Sequence, residues 1–260
     1  MGPYLAAARS SFRRQSTYRG ATVAGVFTNT VFGFILASVM QAVFQTRPTV
    51  GGLTATVAVT FVFVGQSLLV VMGAFGEREV AERVRTGDIA TDLYRPVSFS
   101  GWWAAIWAGR AAFALVARGV PPFVAGALAF HVQLPTRALT WLWFLVAVVF
   151  GSLVASRFWL IVNLVAFWLV EVRGLLSLSG LVLMMASGFL VPLQFITGPL
   201  GTLCRATPFA SMGQQPIEVF LELRPAWQAW LPQLVWLVAL EAVLQLMIGS
   251  ATRKLVVQGG

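Results

Sequence analysis

The apolar positions of this 260-residue chain fall into about six runs of membrane length, and the polar positions gather between them. The runs cover 21–44, 50–75, 104–130, 138–160, 174–191 and 231–250. A bilayer core is crossed by about 20 consecutive apolar residues in an α-helix. The pattern therefore predicts an all-α polytopic membrane protein with six transmembrane helices. The period-two alternation over short segments that marks membrane β-strands is absent.

Several stretches depart from this rhythm. On a helix over residues 1–20, Tyr4, Leu5, Ala8 and Phe12 share one side, with Arg9, Arg13 and Arg14 opposite. This predicts an N-terminal amphipathic helix on the inner membrane surface, its arginines near anionic headgroups. The 104–130 run is interrupted by Pro121-Pro122 and exceeds one crossing, so its first part is expected to be interfacial, with Trp102, Trp103 and Trp107 at headgroup level. Residues 160–173, including Val170, are expected to form an inner interfacial connector. Residues 192–230 are apolar but carry prolines 192, 199, 208, 216 and 225. Proline stops helices at short intervals, so this segment reads as a re-entrant hairpin of broken helices in the outer leaflet, buried against protein. The remainder, 21–260, forms the six-helix domain.

The most polar stretch is residues 77–96, which hold five of the nine acids (Glu77, Glu79, Glu82, Asp88, Asp92) and Arg78, Arg83, Arg85 and Arg95. Its pattern predicts a helix extending from the second span and stopping at Gly87 as a C-cap. A kink and a short second helix bearing Ile89, Leu93 and Tyr94 follow. Mixed charge around a small apolar tip suits docking onto a soluble partner. Glu82, Arg83, Asp88, Ile89, Leu93, Tyr94 and Arg95 are the candidate docking residues.

Composition sharpens the picture. The chain is 58% hydrophobic and 10% charged, with a net charge of +9 that comes almost wholly from arginine. Twelve basic residues lie in the segments assigned to the inner side (1–20, 76–101, 157–173, 251–260) and four in the outer ones. That asymmetry places both termini inside and accounts for the basic balance without nucleic acid. No cleavable signal peptide is recognised, because the apolar run after Arg19 is too long. A single cysteine, Cys204, and a single histidine, His131, argue against a disulfide or a metal cluster. The only lysine, Lys254, follows Arg253 and precedes Leu255, so the phosphate-binding Gly-Lys-Ser/Thr turn cannot occur. Any ATP-driven work must come from another chain.

Two further features sit within the spans. Ala21, Gly25, Asn29, Gly33 and Ala37 recur every four residues and form a ridge that admits another helix closely, in the same chain or as a subunit seam. Arg110, Arg118, Arg157 and Glu241 fall at membrane depth, where a charge is costly without a partner. The expected arrangement pairs Glu241 with an arginine of the third span, Arg118.

The segment Arg85-Thr86-Gly87-Asp88-Ile89 through Leu93-Tyr94-Arg95-Pro96-Val97 resembles the coupling region of ABC-2 type ABC transporter permeases. Phe167-Trp168, Gly188-Phe189-Leu190-Val191-Pro192, Pro199, Pro208-Phe209 and Pro216 are similar to what precedes that family's last span. The resemblance implies a dimer with an identical or similar second permease. It also implies two copies of a soluble ATPase that binds ATP and Mg, in a bacterial inner membrane. The implied activity is export of a hydrophobic or amphipathic substrate such as a drug, lipid or glycoconjugate. The alternatives are an ATP-independent channel or secondary transporter, and a membrane-embedded lipid enzyme.

Overall fold

A computed structural model describes residues 2–169 and 171–258; Val170 lies outside the described residues. Among the described residues the regular structure is helical, with one isolated bridge, Val50–Leu53, and no strand. Four helical stretches are long and apolar enough to cross a membrane. They are α2 (Arg19–Phe44), α6 (Phe99–Ala114) running through a π-turn into α7 (Val120–Ala129), α8 (Ala138–Leu164) with its 3-10 end at Phe167, and α13 (Ala226–Gln258). Two shorter apolar helices, α3 (Ala55–Leu69) and α9 (Arg173–Ala186), occupy the second and fifth runs. At 1.5 Å per residue these are about 22 Å and 21 Å long, less than the roughly 30 Å of hydrocarbon.

The second and fifth runs are shorter as helices because their apolar ends are folded into buried turns. After Leu69 the chain turns tightly to Phe75, with Gly73 at φ 67° and Gly76 at φ 86°. Trp107 and Trp159 close over Gly73, and Trp159 Nε1 donates to Met72 O at 3.2 Å. From Ala58 to Leu69 every residue of α3 is buried, and Phe61, Val64, Leu68 and Leu69 join Val71, Met72 and Ala74 of this turn in the main core with Trp107, Trp159, Leu183 and Phe189. The charged segment is consequently not an extension of the second span: α4 (Glu79–Thr86) starts separately, and α5 (Ile89–Leu93) follows it.

Pro121-Pro122 bend the hydrogen-bond ladder without ending the helix. The π-turn Leu115–Gly119 lies immediately before them, widening the turn where a proline ring would meet the preceding carbonyls. Gly119 O, within that turn, accepts from Ser67 Oγ at 2.8 Å. A hydroxyl of a neighbouring helix thus supplies a partner in the distorted ladder.

The expected connector is also largely helical, since α8 continues to Leu164 and its 3-10 turn to Phe167. The last helix begins at Ala226 and carries Pro232 inside it. Residues 192–225 do break into short pieces: a 3-10 turn at Leu193–Phe195, then α10 (Gly198–Ala206), α11 (Pro208–Met212) and α12 (Gln214–Phe220). Pro199 and Pro208 stand at helix starts, where a missing N–H costs no bond. Every residue of α12 is buried.

The N-terminal helix, α1 (Pro3–Thr17), packs lengthwise on α6 instead of presenting its tyrosine–phenylalanine side to lipid alone. Ala7 and Ser11 are buried, and a methyl on Gly109 would overlap the Ala8 carbonyl. Tyr4 Oη accepts from Ser98 N–H at 3.1 Å, and Phe12 meets Phe113 edge-on at 5.5 Å.

Candidate functional site

The segment 77–96 is a platform fastened by side-chain hydrogen bonds and ion pairs. Gly87 ends α4 at φ 82°, in the left-handed conformation expected of a glycine C-cap. The start of α4 is tied to α8 by one side chain, Asn163. Its Oδ1 accepts the Ala81 N–H at 2.9 Å, while Nδ2 donates to the carbonyls of Glu77 (2.8 Å) and Trp159 (2.7 Å). A buried amide of the first helical turn and a loop carbonyl, both without helical partners, are satisfied together. A second clamp is Asp92, 2% exposed, which receives Arg83 Nε at 2.7 Å and Arg95 Nε at 3.1 Å. Arg83 also donates to Thr91 Oγ1 at 3.1 Å, and Arg95 lies 4.1 Å over the Trp102 ring.

These clamps sort the candidate docking residues. Ile89 is 1% exposed and packs with Val80, Phe99, Trp103, Leu160, Leu164 and Leu244, so it anchors the platform and cannot meet a partner in this conformation. Leu93 is half-buried beside that cluster. Arg83 is an internal strut, and Asp88 accepts from Thr86 Oγ1 at 2.8 Å without capping α5. Tyr94 is 84% exposed, and Glu82 and Arg95 are also exposed. Glu82 pairs with Arg85, which holds the carboxyl below and the guanidinium above their ordinary ranges. Beside α4 runs a groove of about 200 Å³ lined by Arg78, Glu82, Arg85, Glu171 and Arg173 over Leu169, Val172 and Leu176. Asn163 and Asp92 were not among the sequence candidates; their only signal was a polar residue in an apolar helix and one acid among five.

Next to the platform a four-charge knot joins three elements. Arg110 of α6 pairs with Glu77 and, at 3.0 Å, with Glu79; Arg14 of α1 reaches Glu79 at 2.7 Å. Arg14 therefore turns toward protein, and its hydrogen bond to Glu79 raises its pKa.

The expected pairing of Glu241 with Arg118 does not occur. Arg157 Nε stands 2.5 Å from Glu241 Oε2, and Ser100 Oγ donates to the same carboxylate at 2.9 Å. Ser100 and Arg118 are about 27 Å apart along their helix, so an acid beside one cannot reach the other. Arg118 instead lies over Gly25, where a Cβ would fall 2.6 Å from Nε and Cζ. The small-residue ridge is packed against neighbouring helices of the same chain at Gly25, Asn29 and Gly33. Gly33 packs on Phe63 and Gln66, Gly25 on Arg118, and Asn29 is 3% exposed.

The broken-helix segment has its own polar centre, unanticipated from the sequence. Gln214 Oε1 accepts the Leu193 N–H at 3.0 Å, and Gln214 Nε2 donates at 2.7 Å to Gln194 Oε1 and to Glu218 Oε1. Arg224 Nε lies 2.5 Å from Glu218 Oε2. Burial pushes the Glu218 carboxyl up, against the pull of Arg224 and Gln214. A few residues on, Glu222 accepts from Thr136 Oγ1 (2.6 Å), Thr140 Oγ1 (2.7 Å) and Arg137 N–H (3.3 Å). Those hydrogen bonds hold its pKa at about 2 and cap the first turn of α8 from another segment.

Among the described residues no group of three His, Cys, Asp or Glu side chains is placed to hold a metal ion. Compared with known proteins, residues 27–259 match the model of a family described as ABC-2 family transporter protein. No curated protein and no solved structure matches the chain.

Proposed function

The chain belongs to the ABC-2 family of transporter proteins, and we propose that it is the multi-pass permease of an ATP-driven exporter, worked by a separate soluble ATPase. In this reading α3 and α9 complete six crossings together with the four long helices, the bilayer thinning or the buried turns making up their length. Both termini and residues 77–96 face the cytoplasm of a bacterial cell. Two ATPase copies, each holding ATP and Mg, grip a pair of permeases, identical or similar. The cargo is hydrophobic or amphipathic: a drug, lipid or glycoconjugate. The observation that supports the reading best is the platform itself. Two short charged helices, bolted to α8 by Asn163 and to each other by Asp92, present Tyr94 outward. A push at Tyr94 is carried to α8 and α6 without being absorbed by a loose loop.

Tyr94→Glu is the direct test, because Tyr94 supports nothing beneath it. The variant should insert and fold normally yet co-purify with at least tenfold less ATPase than the wild type. Undiminished co-purification and ATP-dependent export would contradict the docking role.

A further inference from the structure

Arg118 has no hydrogen-bond or ion-pair partner among the described residues, and its Nε is buried without an acceptor. No acid of the chain is available to it. Each of the nine carboxylates already receives a donor elsewhere. Arginine stays charged in proteins, and a lone charge at membrane depth marks a site whose partner comes from outside the chain. One turn beyond Gly25 on the same face of α2, Asn29 is 3% exposed and its Nδ2 also lacks an acceptor. Two donors at this place, Arg118 Nε and Asn29 Nδ2, thus have no acceptor among the described residues. The π-turn Leu115–Gly119 carries Arg118 here, and the absence of a side chain at Gly25 leaves room for its guanidinium. Gly25 is only about 9 Å along α2 from Arg19, close enough to the membrane surface for an arginine to meet a headgroup.

We propose that Arg118 and Asn29 form a binding site for the phosphate group of an anionic amphiphile, between α2 and the π-turn. The planar guanidinium offers two parallel donors that match phosphate oxygens. The site needs α2 and α6 to be membrane helices, but it rests on neither the ATPase nor the direction of transport.

The test uses the purified chain in nanodiscs containing equal amounts of phosphatidylglycerol and uncharged galactosyl diacylglycerol, with lipids retained after mild detergent extraction counted by native mass spectrometry. The wild type should retain phosphatidylglycerol about tenfold over the glycolipid. Arg118→Gln should bring the ratio to parity, and Arg118→Lys should leave an intermediate preference because a point charge lacks the fork. Gly25→Ala, which displaces the guanidinium while keeping its charge, should also lower the ratio and decides the matter if Arg118→Gln fails to insert. Displacement of the lipid by millimolar glycerol phosphate would assign the same site to a soluble phosphate ester. No preference in the wild type, or an equal preference in Arg118→Gln and Gly25→Ala, overturns the proposal.

Discussion

Asp92 and Glu222 show how single carboxylates set the two polar ends of this molecule. Asp92→Asn keeps the shape but removes the charge that Arg83 and Arg95 share. Loss of such charge-assisted bonds costs about 2 kcal/mol, so amide exchange over 79–95 should speed up by roughly thirtyfold while α13 is unaffected. Equal exchange in both proteins would show that the clamp is idle. Glu222 sits at φ 56° with its pKa lowered to about 2 from 4.5. A lowered carboxylate pKa stabilises the fold above the unfolded value and loses that contribution as pH falls through the folded one. The melting temperature of Glu222→Gln should therefore lie below the wild type at pH 7, the gap closing between pH 4.5 and 2. A gap that is constant with pH would point to shape instead of charge. At this scale the sequence shows which charged residues fall within apolar runs, but pairing depends on their level along the helices. Glu241 chose Arg157 over Arg118 because helix rise, invisible in a list of residues, put Ser100 and Arg157 at its level.

At the scale of elements, the apolar runs located every long helix but overstated α3 and α9. Hydropathy reports exclusion from water, and a buried turn such as 71–74 is as apolar as a helix. The Gly87 cap was legible because a glycine ending a helical pattern has one common use. The π-turn was not, since a double proline alone does not say whether the ladder breaks or widens. The seating of α1 was hidden in Gly109, whose missing side chain matters only once Ala8 lies against it. Gly109→Leu should pry α1 from α6, exposing 3–17 to trypsin and weakening the Arg14–Glu79 link. Full protection of α1 in that variant would contradict the close packing. The family match begins at residue 27, within α2, and does not include α1.

For the whole molecule, the resemblance carried by 85–97 and 188–216 agrees with the family match, and the all-helical architecture follows from the same runs. Partners are least legible, because a surface that waits for another chain looks like any polar surface until its neighbours are seen. In 77–96 the neighbours show that Ile89 and Asp92 are buried inside the fold, while Tyr94 is an exposed tip. The sidedness of that tip is accessible through a Tyr94→Cys variant, since Cys204 is buried. The most direct measurement of the central claim is site-specific photo-crosslinking from position 94 in intact cells. A covalent adduct with a soluble ABC ATPase, strengthened when ATP hydrolysis is blocked, is the predicted result. Adducts only with extracellular or periplasmic proteins would contradict the account.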